Sequence, residues 1–308
     1  MPLVQALAFN LLTSREIECC PLPHPPSTTR AKAVNVGLRC ADRLRSITIV
    51  EDFLPVSRLD DVILETRGLT KEFRGFTAVQ GVDLKVRRGT IHALIGPNGA
   101  GKTTVFNLLT KFLDPSAGQI FYNGRDITAL KPAEIARRGI VRSFQISAVF
   151  PHLSVRENVR VALQHKLGNS FHFWRSGRVL DHLDAPAEAL LEAVGLAGLG
   201  DGMASDLAYG RKRALEIATT LALDPEMLLL DEPMAGLGRE EIGRIAALIR
   251  EVSADRTILM VEHNLSVVAD LSHMITVLTC GRILTQGDYA AVSNDPEVVE
   301  AYLGTGHA

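Results

Sequence analysis

With 308 residues, 46% of them hydrophobic and 22% charged, the chain has the size of one large or two small domains and can bury a sizeable core. A formal charge of -2 argues against a nucleic-acid partner, because such surfaces carry a basic excess or stripe. No run approaches the roughly 18–20 apolar residues needed to span a bilayer, so any membrane connection is expected through a partner.

The first residues are the least regular. Leu3–Leu12 is apolar but broken by Gln5 and Asn10, and no Lys or Arg precedes it as in a signal peptide. Pro21, Pro23, Pro25 and Pro26, followed by Ser27-Thr28-Thr29, admit neither a helix nor a central strand. Cys19, Cys20, Cys40 and Cys280 show neither CxxC nor zinc spacing and read as free thiols in a reducing cytosol. Residues 1–61 are therefore expected to be a poorly ordered extension. Two readings stay open, a genuine flexible arm or an upstream stretch preceding a true start at Val62.

Regular patterning begins at Val62. Val62–Glu65, Val82–Val86 and Thr90–Ile95 read as strands, Lys102–Phe112 as a helix, and Gln119–Tyr122 as a strand closed by the Asn123-Gly124 turn. Pro132–Arg138 and Pro186–Val194 open with proline in a first helical turn. Ala214, Ile217, Ala218, Leu221 and Ala222 mark one buried helix face. Met227–Leu230, Thr257–Val261 and Ile275–Leu278 are apolar runs of strand length. Strands alternating with helices, and apolar on both faces, predict an α/β fold with a mostly parallel, doubly covered sheet.

Gly96-Pro97-Asn98-Gly99-Ala100-Gly101-Lys102-Thr103 fits G-x-x-x-x-G-K-[ST] between a strand and a helix. Glycines let successive N–H groups turn toward phosphate oxygens, and the helix adds its positive end. Lys102 is expected to face the outer phosphates and the Thr103 hydroxyl to face Mg²⁺, with Thr104 completing the loop. Asp231 and Glu232 end a buried strand; beside such a loop the first is expected to hold Mg²⁺ and the second to polarise the attacking water. Gln145, His263 and the segment Leu207–Arg213 complete the constellation.

On these five motifs in their order, residues 62–304 resemble the ATP-binding subunits of ABC transporters. The Ala208-Tyr209-Gly210 signature, the stretch Ser143–Leu163 and the ending Val299–Gly304 are similar to branched-chain amino acid importers. The resemblance implies a P-loop NTPase (RecA-like) core, an antiparallel β subdomain and an inserted helical subdomain over about residues 146–215. Residues 305–308 are a tail. It implies ATP and Mg²⁺ as ligands, with Phe73 stacking on adenine and Gly96, Asn98, Gly99, Gly101, Lys102, Thr103 and Thr104 around the phosphates. Thr103, Gln145 and Asp231 would hold the metal, and Glu232, His263 and Lys102 would act on the γ-phosphate. Ala208, Tyr209 and Gly210 would serve the nucleotide of a second ATPase subunit in a homo- or heterodimer.

The implied partners are transmembrane permease subunits, contacted by the helical subdomain, and indirectly a periplasmic binding protein. The implied location is peripheral, on the cytoplasmic face of a bacterial inner membrane. Two departures bear on turnover: Ala208 stands where most signatures have serine, and Gly238 where Asp or Asn is common. Other cargoes (urea or short amides, lipopolysaccharide export) remain alternatives, as does a soluble non-transport ABC protein. The last usually carries two cassettes or a long coiled coil, absent here.

Overall fold

Three of the apolar runs become the middle of one sheet. The structure, a computed structural model, describes residues 61–143, 149–165 and 177–303; the extension before Asp61 and Gln145 lie outside the described residues. In chain order the elements are β1 (Val62–Phe73), β2 (Phe76–Val82), β3 (Lys85–Arg87), β4 (Ile91–Ile95), α1 (Lys102–Leu109), β5 (Ala117–Tyr122), β6 (Arg125–Asp126), α2 (Pro132–Arg137) and β7 (Ile140–Ser143). There follow α3 (Val155–Gln164), α4 (Asp184–Ala193), α5 (Tyr209–Ala222), β8 (Met227–Asp231), α6 (Arg239–Val252), β9 (Thr257–Val261) and α7 (Leu265–Leu271). The chain closes with β10 (Met274–Thr279), β11 (Arg282–Gly287), α8 (Tyr289–Ser293) and α9 (Pro296–Leu303).

The larger sheet has the order β11-β10-β4-β9-β8-β7. Its pairings are parallel except β10 with β11. Alternation decides which side each residue faces. Ile91, Ala93, Ile95, Leu228, Leu230, Ile258 and Met260 join a core with α3, α4, α5, α6 and α7. Leu94, Met227, Leu229, Leu259 and Val261 join a second core with α1 and the small antiparallel sheet of β1, β2, β3, β5 and β6. Both faces are covered, which is why these strands are apolar throughout. No helix among the described residues is long and apolar enough to cross a membrane.

Three sequence-based boundaries are corrected. The helix expected over Lys102–Phe112 stops at Leu109, because Lys111 turns left-handed (φ 60°) and the Thr110 hydroxyl donates to Phe106 O at 2.7 Å. The strand expected over Val82–Val86 is two, β2 and β3, each paired with β1. Between them the Asp83 carboxylate accepts the Gly68 N–H at 2.6 Å. Pro186 falls in the third position of α4 rather than the first.

His92 is a polar residue buried inside this sheet. Its Nε2 lies 2.7 Å from Thr276 Oγ1, and Nδ1 has no partner among the described residues. Burial, with the Arg87 charge acting the same way, lowers its pKa from 6.5 to about 4. The unfolded chain therefore binds one more proton than the folded chain within that interval. Stability is lost as pH falls from about 6.5 toward 4, by roughly 3 kcal/mol in all. In urea unfolding between pH 6.5 and 4.5, His92→Gln is expected to flatten the slope by about 1 kcal/mol per pH unit. An unchanged slope would contradict this account.

Candidate active site

Parallel strands deliver their C-terminal ends to one edge, and the motif residues gather there. In register, Leu94 of β4 faces Val261 of β9, and Val261 faces Asp231 of β8. The residues just beyond that row are the loop opened by Gly96, Glu262-His263, and Glu232. On the far side of β8, Ser143 of β7 pairs with Leu230, so β7 ends at the same edge.

The Gly96–Thr104 loop is packed from behind. A Cβ on Gly96 (φ 151°) would lie 2.2 Å from Leu278 O, and one on Gly101 (φ 100°) 2.6 Å from Ala78 O. Only glycine fits at these two positions. The Gly281 N–H donates to Ala100 O at 3.0 Å, fastening the loop to the β10–β11 turn. Asn98, Gly99 and Thr103 are exposed and Thr104 half-buried. The first-turn N–H groups of α1, which no helix can satisfy internally, belong to these same loop residues from Lys102 on. The buried Lys102 ammonium donates to Gly96 O at 2.6 Å and Pro97 O at 2.9 Å. Burial lowers its pKa, while the charges of Glu232 and Asp231 oppose the shift. Lysine and both carboxylates thus share one electrostatic neighbourhood.

The two acids differ in setting. Asp231 is 2% exposed. Arg142 of β7 pairs with its Oδ2, and Arg213 of α5 donates to its carbonyl at 3.0 Å. Arg142 also donates to Asn107 Oδ1 of α1 at 2.6 Å. Glu232 is half-buried and takes a left-handed backbone (φ 47°), an unfavourable conformation for a side-chain-bearing residue, of the kind found at functional sites. Its Oε1 lies 2.7 Å from His263 Nε2. The structure therefore joins two residues 31 positions apart into a carboxylate–imidazole pair open to solvent. Such a pair can hold and polarise a water.

A polyphosphate with a hard cation fits these residues. Backbone N–H groups and an ammonium suit the anion, and a hydroxyl plus one carboxylate suit Mg²⁺, which takes few protein ligands. Phe73 is 41% exposed at the β1–β2 hairpin, with Lys71 Nζ 5.2 Å over its ring. Ala208 is the N-cap of α5, exposed like Tyr209, while Gly210 is buried.

Several positions at this edge were not singled out in the sequence. Glu241 accepts the N–H of Gly210 at 3.1 Å and of Gly238 at 3.2 Å, tying the start of α5 to the start of α6. Its place three residues after Gly238 is the spacing of a helix-capping acid. Buried Glu262 accepts three backbone N–H groups, and its signal was a charge at the end of an apolar strand. Tyr302 of α9 reaches the loop from the C-terminus. Burial raises its phenol, and a hydrogen bond with the Gly96 backbone works against that rise.

Comparison with known proteins gives the family. A family model described as ABC transporter matches residues 79–235. A second, for the branched-chain amino acid ATP-binding cassette transporter, matches residues 282–308. The chain is 40% identical over 252 residues to the high-affinity branched-chain amino acid transport ATP-binding protein BraF of Pseudomonas aeruginosa, covering 79% of this chain and 98% of BraF. It is 40% identical over 250 residues to LivG of Escherichia coli, with the same coverage. Among solved structures, the ADP conformation of an ATP-binding cassette of an ABC transporter aligns with TM-score 0.70 and 31% identity, over 79% of this chain and 99% of that one. A nucleotide-free cassette aligns with TM-score 0.69 and 30% identity, over the same shares. With its phosphate loop, paired acids and histidine on one edge of a parallel sheet, the chain belongs to the ABC transporter family as one of its ATP-hydrolysing, ATP-binding cassettes.

Proposed function

We propose that this cassette powers the import of branched-chain amino acids from the cytoplasmic face of a bacterial inner membrane. In this reading it works with transmembrane permease subunits, with a second ATPase subunit, identical or different, and through the permeases with a periplasmic binding protein. The observation that carries it is the 40% identity to BraF and LivG across 98% of each, continued by the match over residues 282–308. The working domain is 62–304, with its helical part over about 146–215.

Each site residue has a task. Lys102 and the N–H groups of the Gly96–Thr104 loop bind the β- and γ-phosphates, and Phe73 offers its exposed face to the adenine. Mg²⁺, when bound, supplies charge neutralisation at the phosphates; Thr103, Asp231 and Gln145 would hold it. Glu232 orients the attacking water and accepts its proton, and His263 steadies Glu232 while facing the γ-phosphate. Ala208, Tyr209 and Gly210 present the start of α5 to the nucleotide of the second subunit.

The permease surface is an apolar groove of about 490 Å³ beside the end of β7. Phe112 (56% exposed) and Phe150 (52% exposed) stand open to solvent there, with Pro132, Ala136 and Val161 also lining it. Aromatics so exposed, in a groove that reaches Ser143 at the end of β7, suit a cytoplasmic permease helix. The test is reconstitution in vesicles with permeases and a binding protein. Leucine-loaded binding protein is expected to stimulate ATP turnover, and Phe150→Glu to abolish permease association while leaving nucleotide binding within about twofold, because the groove and the phosphate loop share no residues. Stimulation by a short-amide binding protein instead would reassign the cargo. Retained association of Phe150→Glu would remove the groove from the interface.

A further inference from the structure

We propose that Glu262 is a positioning residue of this ATPase: its carboxylate pins the loop after β8 to the loop after β9 and thereby sets Glu232 against His263. The proposal rests on the catalytic reading of that pair given above.

Strand pairing between β8 and β9 ends at Asp231 and Val261. Glu232 still donates its N–H to Val261 O at 2.9 Å, but its left-handed backbone turns the chain out of the sheet. The next strand carbonyl can no longer serve the segment that follows. Met234 is 4% exposed, and an unpaired N–H there would be costly. Glu262 replaces the missing ladder bond with its side chain: one oxygen accepts the Met234 N–H at 2.8 Å. The other accepts the His263 N–H at 3.1 Å and the Asn264 N–H at 3.4 Å.

One carboxylate thus holds two loops. Glu232 is bracketed, with the N–H of 232 bound to Val261 and the N–H of 234 bound to Glu262. His263 is fixed at its own backbone by the same group. Asn264, the third tie, also caps α7 through its side chain. The 2.7 Å contact between Glu232 and His263 follows from these anchors.

Glu262 is itself unfit for chemistry on the substrate. It is 3% exposed, and both of its oxygens are occupied by backbone donors. Burial raises its pKa, the nearby Glu232 charge adds to the rise, and the three N–H donors oppose it. A carboxylate kept in so unfavourable a place must return something, and the return is the geometry of its neighbours.

The test uses the full chain, with Glu262→Ala and Glu262→Gln assayed for kcat and for affinity toward a fluorescent ATP analogue. In the alanine variant kcat is expected to fall about 30- to 100-fold with affinity within about twofold, since a displacement near 1 Å costs on that order. Glutamine keeps an acceptor for the Met234 N–H but turns its NH₂, a donor, toward the His263 and Asn264 N–H groups, which lose their acceptor. Its kcat should fall about three- to tenfold, again without loss of affinity. Glutamine also conserves shape, so it decides the matter if the alanine variant does not fold. A glutamine kcat within twofold of wild type, or affinity lost in step with kcat, would overturn the proposal. His263→Ala, measured alongside, separates the two readings. If it leaves turnover intact, the catalytic pair itself is wrong; if it impairs turnover while Glu262→Gln does not, only the positioning role falls.

Discussion

Glu232→Gln is expected to lower ATP turnover about 10²- to 10⁴-fold, the range lost with a general base, while ATP affinity stays near that of the unaltered chain. The side chain keeps its shape, so the left-handed turn at 232 (φ 47°) and the segment up to Met234 need not rearrange. Glutamine loses the charge that draws a proton from water, and its contact to His263 Nε2 becomes an ordinary neutral hydrogen bond. Lys102 would lose one of the two negative charges that raise its pKa, yet it keeps Asp231. Binding and chemistry should therefore separate cleanly. Bound ATP that is no longer consumed should also let a two-subunit, ATP-held form accumulate. The measurements are phosphate release under saturating ATP, equilibrium binding, and size-exclusion chromatography with and without ATP. Turnover within tenfold of wild type would remove Glu232 from the role of base.

What could be read from the residues, and what could not, divides along a physical line. The phosphate loop was legible because its chemistry is local: glycine, lysine and threonine act within one turn of chain. The strands β8 and β9 were legible to within a residue because both faces are buried, leaving an unbroken apolar run. Glu232 and His263 were assigned by motif order, but no pattern in the sequence could place them 2.7 Å apart, since that depends on the β8–β9 register. Glu262, Arg142 and Glu241 were passed over for the same reason. Each acts between elements, and a lone charge carries no mark of its distant partner. The ends of elements were missed where one residue turns left-handed, as Lys111 does after α1. Nothing in its side chain announces that conformation.

Lys102→Ala should show the opposite signature to Glu232→Gln, with ATP affinity falling about 100-fold or more through loss of a charge-assisted contact worth roughly 3 kcal/mol. Two effects add. The ammonium is the one basic side chain placed inside the Gly96–Thr104 loop, and it is buried there, so the phosphates would face N–H dipoles alone. It also bonds two carbonyls of its own loop, Gly96 O and Pro97 O, so alanine leaves that arch without its central tie. The rear of the loop is still held by Leu278, Ala78 and Gly281, and the fold should survive with little change in Tm. Lys102→Arg makes the argument sharper. Charge is retained, but a planar guanidinium cannot occupy a pocket sized for one nitrogen 2.6 and 2.9 Å from two carbonyls. It should lose most of the same affinity. Isothermal titration with ATP across both variants checks this. Near-normal binding by Lys102→Arg would show that charge alone matters, and near-normal binding by Lys102→Ala would show that the loop binds phosphate without its lysine.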